Sequence, residues 1–562
     1  MTVQAVPSSE QLRSATLEHV RNGTEEVGIA EFTDYLGGQL ATTTRVSTRN
    51  LTKLTVLADC IRFMKLSEEA QPSDAVAEWI LGSGERLHLL VDMLEPQDRG
   101  MQCMQIMERL HKHDPAGCDE FYELILAIAL VMDRPAEAPM HWQMGGELLS
   151  YTPDPVERYD YFKALYTGGD AKIGYEKLGT SELLFVVHVP VPVSELEWVR
   201  KNVDGSLSEW GEKYSDIIYD DARLRSSRYQ WDTGSYSLAA IQRCGGICVD
   251  QAYYAVMTAR AYGIPAIYFR GAGKSANHAW FAFMEEPGEW VLDVGRYKND
   301  EYTTGHAVNP QTRESMTDHD VEYACERSLH SDDFVQASEY VSIAEVMLAS
   351  EPRIAARCAK NARQRVKRYL RPWEIERQTL IAERDCSDLL DFFREQKDAF
   401  RKYPDILTES AKAIEVVLRE EGRIKEADKL MRSLAGVVDD DRDDLANQFE
   451  FERIERIIES GDMKKARREM EQLLDDQKDG GNKVFWLIGK YTELTVESGQ
   501  AHEAAKFLSG YVEELRGKYN FPTSYEQGLL RCLLAVYESD GDTKEAGKIK
   551  SRIDRLERLK KK

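Results

Sequence analysis

Between Gln242 and Val294 the chain carries Cys248, His278 and Asp293, in that order. Thiol acyl transfer needs three such parts: a nucleophile, a base that takes its proton, and a group that orients the base. Cys248 follows Gly245-Gly246-Ile247, and Ala252, Ala255 and Ala259 recur on one face behind it. That spacing predicts a helix over 247–262, ended by Gly263 and stopped by Pro265. Its small-residue face suits tight packing against a sheet. The thiol then stands in the first turn, where the positive end of the helix macrodipole favours a thiolate. By residue type alone the commonest fate of a cysteine is burial as a small apolar group, so the case rests on what accompanies it.

Ala266–Arg270 reads as a strand. His278–Glu285 and Trp290–Val294 read as two more, joined through the type II turn pair Pro287-Gly288 into a hairpin. Parity puts His278 and Asp293 on one face, but a minimal turn leaves them staggered by four residues, roughly 13 Å. Contact between them requires a register slip through a wider turn or a bulge. Taken singly, a histidine opening a strand and an aspartate closing one are usually structural.

Taken together, the glycines before Cys248, Cys-x-Asp-x-Ala, Gly263-Ile264-Pro265-Ala266, His278-Ala279-Trp280 and Trp290-x-x-Asp293 resemble the transglutaminase-like superfamily, which shares a papain-like thiol core. The resemblance spans roughly 180–310, and its specific part is 245–294. It implies Cys248 as nucleophile, His278 as general base and acid, and Asp293 as its orienter. Gln242 lies six residues before Cys248, a spacing similar to the oxyanion-donating glutamine of papain-like enzymes; the Cys248 N–H would be the second donor. Gln242 reads equally well as a solvated helix end. Trp210 and Trp231 are candidates for the role a tryptophan plays in true transglutaminases, although neither falls in a recognisable motif. No calcium-loop pattern occurs and the Cys248-to-His278 gap is a short 30 residues, which argues against a calcium-switched cross-linker. The absence of zinc-type Cys-x-x-Cys pairs argues against a peptide N-glycanase.

The implied reaction is covalent: the Cys248 thiolate attacks a peptide or protein amide, and water or an amine resolves the thioester. Hydrolysis is favoured over transamidation, since nothing marks a tunnel for a second amine. The alternative is a catalytically silent domain in a protein-binding scaffold. No cofactor or metal is expected. Cys244 and Cys248 lack a second pair for zinc, and His306 with Thr317-Asp318-His319-Asp320 reads as solvated loop. Arg296 and Tyr297 follow Asp293 and are expected to line the cleft, with no role assigned.

These residues need a frame. At 562 residues the chain is too long for one core. Residues 1–175 read as helical, with apolar residues at helical spacing in Leu51–Leu66 and Phe121–Met132. Residues 176–330 are mixed, opening with a strand at Leu183–Val189 closed by Pro190. Residues 331–562 are helical and repetitive, with Gly422, Gly461, Gly499 and Gly541 each followed five residues on by Ala427, Ala466, Ala504 and Ala546. Glycine ends one helix and alanine lets the next pack closely, which resembles tetratricopeptide-type repeats of somewhat longer period. The expected architecture is therefore multidomain α+β: a central transglutaminase-like domain between an N-terminal helical region and a C-terminal α-solenoid.

Arrays of this kind present concave surfaces that bind peptides or proteins. Expected partners are a protein or peptide substrate and a protein on the repeats. A formal charge of −24 repels phosphate backbones, so no nucleic acid is expected. The basic run from Arg353 to Arg371 is expected to dock on acidic groups of the same chain. No apolar run reaches the length of a membrane span, and the N-terminus does not read as a signal peptide. Nine scattered cysteines suggest reduced thiols and a cytoplasmic setting.

Overall fold

The helix Cys248–Ala261 is buried at every position from Val249 onward, and the central part of the fold is what covers it. A computed structural model describes residues 6–560 apart from 42–47, 135–152, 227–228, 233, 273–276, 297–303, 436–441, 520 and 522; Tyr297 lies outside the described residues. One face of the helix meets an antiparallel five-stranded sheet. Its strands are β1 (Ala266–Ala272), β2 (Asn277–Glu286), β3 (Glu289–Val294), β4 (His306–Val308) and β5 (Ser315–Thr317), in the order β3-β2-β1-β4-β5. Alternation along β2 divides two cores: Ala279, Phe281 and Phe283 join the helix side, while Trp280 and Ala282 join Ile267, Phe269 and Met316 on the other face.

The fold is thus α+β, a small antiparallel sheet among many helices. The strand expected at Leu183–Val189 is instead the helix Thr180–Val187. Glu182 accepts from the Gly179 N–H at 2.9 Å and starts it. Leu183, Val186 and Val187 are all buried, and the helix packs on Tyr122–Met132. The apolar run Leu183 to Val187 carries no period, so strand and helix look alike there in sequence.

The glycine–alanine repeat is realised as consecutive helix hairpins: Pro404–Glu420 with Ile424–Ala435, Asp443–Glu459 with Met463–Asp476, Phe485–Glu497 with Ala501–Lys518, and Thr523–Asp540 with Thr543–Lys560. Gly422, Gly461, Gly499 and Gly541 all take left-handed φ between the paired helices, and Ala427, Ala466, Ala504 and Ala546 are buried. The basic segment is consumed internally. Arg363 bonds Glu376 and Glu395, both at 2.7 Å, and lies over Trp373. Arg368 bonds Glu326, and Arg371 bonds Asp92 and Glu345.

One apolar core runs from Leu12 to Ile375 and so crosses the expected boundaries near 175 and 330. Helix Asp332–Met347 packs directly on Thr48–Ala70. A buried polar link reinforces that contact. Ser342 Oγ donates to Asp59 Oδ1 at 2.5 Å, and His88 Nδ1 lies 3.0 Å from Asp59 Oδ2. Burial disfavours the charged imidazole, but the hydrogen bond and charge of Asp59 outweigh it and raise the His88 pKa. A raised folded-state pKa stabilises fully below the unfolded value and is lost as pH rises through the folded one. His88→Gln is therefore expected to cost about 1–3 kcal/mol at pH 5.5, the range for a hydrogen bond to a charged group, and clearly less at pH 8.5. Urea midpoints at the two pH values measure this; an equal loss at both would show that the charge plays no part.

Candidate active site

The site begins with how the Cys248 helix is started. Gly246 is clamped to a neighbouring segment: its N–H donates to the Ile218 carbonyl and its carbonyl accepts from Asp220 N–H, both at 2.9 Å. At Gly245 a Cβ would collide with the Ile218 carbonyl oxygen, so this approach requires glycine. Two residues past Cys248, Asp250 turns back. Its Oδ2 accepts from the Ile247 N–H at 2.8 Å and from Arg223 Nη1 at 2.7 Å, and its Oδ1 accepts from the Tyr236 hydroxyl at 2.8 Å. Burial pushes the Asp250 carboxyl up, and these donors, Arg223 first, hold it down. Arg223 lies over Trp231. Trp231 thus supports the ion pair, and Trp210 packs on Tyr262 at the far end of the helix.

The other half of the site forms where the sheet ends. β3 pairs with β2 only as far as Phe281, opposite Val294. Ala279 has β1 on one side and no β3 partner on the other. The Cys248 sulfur takes up the Ala279 N–H, and the Tyr214 hydroxyl donates to the Ala279 carbonyl at 2.9 Å. The nucleophile candidate is therefore held at the residue that follows His278. Burial pushes the Cys248 thiol up to about 11, against the backbone donors Ala279, Val249 and Cys248 itself. The thiolate expected from the helix start is outweighed by burial, and the sulfur is a neutral thiol here.

His278 is 5% exposed, and its Nε2 lies 2.7 Å from the Gly295 carbonyl oxygen. A carbonyl only accepts, so Nε2 carries the proton and Nδ1 is the basic nitrogen of the neutral ring. The ring is flanked by Tyr214 and Trp280. Gly295 has φ +87°, and a Cβ there would come within 2.6 Å of the Tyr214 ring. Tyr214 thus fixes both the strand before the site and the turn that orients the histidine.

Asp293 is not brought to His278. The Pro287-Gly288 turn pairs Glu286 with Glu289, and the two register irregularities between there and Phe281 cancel, since Phe281 pairs with Val294 in the same register. Asp293 therefore lies short of His278, exposed, with no side-chain hydrogen bond or ion pair among the described residues. The Gly295 carbonyl occupies the orienting position instead. Gln242 is likewise not brought to the thiol: it is exposed, and its Nε2 donates to the Tyr254 hydroxyl at 3.2 Å, about 9 Å along the helix from Cys248.

Arg296 lies over Trp280 and bonds Asp318 at 3.1 Å. The segment expected as solvated loop is instead a capped helix start. Thr317 caps the helix Asp318–Ala324, and Asp318 is buried. His306 stays exposed, and no cluster of metal-ligating side chains occurs among the described residues. The C-terminal hairpins also reach the site: the Asn277 N–H donates to the Tyr525 hydroxyl at 3.3 Å, and Tyr525 packs on Phe485.

Tyr214, Gly295, Arg223, Tyr236 and Asp250 escaped the sequence reading. Asp250 alone carried a signal, as an acidic residue at the third helical position of Cys-x-Asp. No protein-family model matches the chain, and no curated protein matches it.

Two outcomes follow from this geometry. Arg223→Met strands a buried carboxylate and is expected to cost about 3–5 kcal/mol, with much of it recovered by adding Asp250→Asn; urea denaturation of the three proteins checks the coupling. The iodoacetamide alkylation rate of Cys248, followed by mass spectrometry, is expected to climb about tenfold per pH unit from 7 to 9. A plateau below pH 8 would mean that a thiolate already exists in the resting protein.

Proposed function

We propose that this protein is a transglutaminase-like thiol enzyme that transfers the acyl group of peptide or protein amides, with water as the favoured acceptor. The observation that carries the reading is the placement of the Cys248 sulfur on the Ala279 N–H, one residue from a histidine whose far nitrogen is tied to a carbonyl. His278 Nδ1 takes the thiol proton as Cys248 attacks the carbonyl carbon. The developing oxyanion is met by backbone N–H groups at the helix start. The protonated imidazole then gives its proton to the departing amine, leaving a thioester. Water, deprotonated by the same nitrogen, releases the acid and restores the thiol. The Gly295 carbonyl holds the ring through both proton transfers, the role that the family resemblance gives to Asp293.

The helical repeats are part of the proposal. Tyr525 touches the residue before His278, which supports delivery of a protein substrate along the repeats to the cleft. All nine cysteines are free, which fits a reducing, cytoplasmic setting. No helix among the described residues is long and apolar enough to cross a membrane.

A second reading, a catalytically silent scaffold, is favoured by one observation: the thiol is neutral and Asp293 is unengaged. Incubation with carbobenzyloxy-Gln-Gly and dimethylcasein separates the two. Ammonia release and an acid-stable acyl adduct on Cys248 are expected from the parent, neither from Cys248→Ser, and a drop of about 10²–10⁴-fold from His278→Ala. Asp293→Asn should stay within a few-fold of the parent. Absence of turnover and adduct in the parent establishes the scaffold.

A further inference from the structure

A cavity of about 1430 Å³ lies far along the β2–β3 hairpin from Cys248, where Pro287-Gly288 meets the helices Gly84–Met93, Asp332–Met347 and Leu370–Glu383. Its walls include Leu89, Met93, Leu329, Phe334 and Leu348, all only partly covered by the protein core. We propose that this cavity docks an amphipathic helical segment of a partner protein, one that presents lysine or arginine beside leucine-like residues.

Size argues for a peptide. The cavity exceeds the 300–1,000 Å³ that suits small molecules, and an apolar groove of this kind accepts the apolar face of a helix. Charge decides which helix. Six carboxylates, Asp92, Glu95, Glu182, Glu289, Glu345 and Glu374, line it against four cations, Arg62, Lys177, Arg327 and Arg371, and Arg327 is paired with Glu289. Arg371 is bonded to Asp92 and Glu345, and Arg62 to Glu345 at 3.0 Å. Glu95 and Glu374 make no side-chain hydrogen bond or ion pair among the described residues. Burial, and then neighbouring carboxylates, push both above the ordinary carboxylate range, against the pull of Arg371 and, at Glu374, of Arg377 first. Carboxylates left short of cations beside apolar walls are satisfied by an incoming ammonium or guanidinium. The chain's formal charge of −24 steers such a partner inward and repels an acidic one.

The test is calorimetric titration of the full chain with a short synthetic helical peptide of leucine and lysine, and with its glutamate counterpart. One variant joins Glu95→Gln to Glu374→Gln. A control joins Glu10→Gln to Glu18→Gln, two exposed positions on the helix Ser9–Asn22 with the same charge change. The lysine peptide is expected to bind one to one and the glutamate peptide not at all. The Glu95/Glu374 variant should lose about tenfold or more in affinity, with the control unchanged. Removing like-charge repulsion should leave folding intact, which circular dichroism checks. Near pH 5.5 the parent should release protons on binding, read as a dependence of the heat on buffer ionisation enthalpy. The proposal falls if the lysine peptide does not bind, if both variants weaken equally, or if the glutamate peptide binds as well. None of these outcomes bears on Cys248, whose own test stands apart.

Discussion

The Cys248 helix is buried from Val249 onward, so the backbone at its start has little access to water, and Asp250 takes up the Ile247 N–H just before it. A carboxylate that deep is unfavourable by itself. It is tolerable because Arg223 and Tyr236 bring a charge and a hydroxyl to it. Arg223 in turn donates to the Tyr229 carbonyl and rests on Trp231. The position of the thiol therefore depends on a segment more than 20 residues upstream. Without that pairing the helix would start with an uncompensated charge, and the sulfur would lose its fixed place beside the sheet.

The second constraint is where β3 stops. Had β3 continued beside β2 past Phe281, the Ala279 N–H and carbonyl would have gone into the ladder. Its end at Val294 leaves them for Cys248 and Tyr214. Gly295 makes the ending possible, because a side chain there would strike the Tyr214 ring. The same turn points the Gly295 carbonyl at His278. Strand termination, the histidine's orientation and the thiol's hydrogen bond are thus one arrangement.

Much of this was legible in the sequence where a period or a turn residue carried the signal. The helix read over 247–262 is Cys248–Ala261, and the strands and the Pro287-Gly288 hairpin fall where alternation put them. The glycine–alanine repeat gave the hairpin spacing, since both residues are forced there by backbone geometry and close packing. Leu183–Val189 failed because its first five residues, Leu183 to Val187, are all apolar and carry no phase. Asp293 failed for a different reason. Reach across a hairpin depends on register, and the two irregularities along this hairpin cancel, leaving the gap of four residues open. Asp318 looked like loop because its partner Arg296 is distant in sequence. The Gly295 carbonyl has no side chain to announce it.

The resting state of Cys248 follows from comparing two magnitudes. A helix N-terminus favours a nearby anion by about 0.3–1 kcal/mol at an ordinary site. Moving a thiol from 9.0 to about 11 reflects a burial penalty net of its backbone donors, roughly 3 kcal/mol at 1.36 kcal/mol per unit. The dipole loses, so a thiolate at this position needs a second positive charge, which under the proposed function is the protonated His278 ring. A neutral carbonyl at Nε2 stabilises that imidazolium less than a carboxylate would, which favours a proton that moves only as the carbonyl carbon is attacked. An uncharged thiol is also protected from adventitious oxidation, since reactivity follows the thiolate. The contact between Tyr525 and Asn277 puts the helical repeats beside the residue that precedes His278.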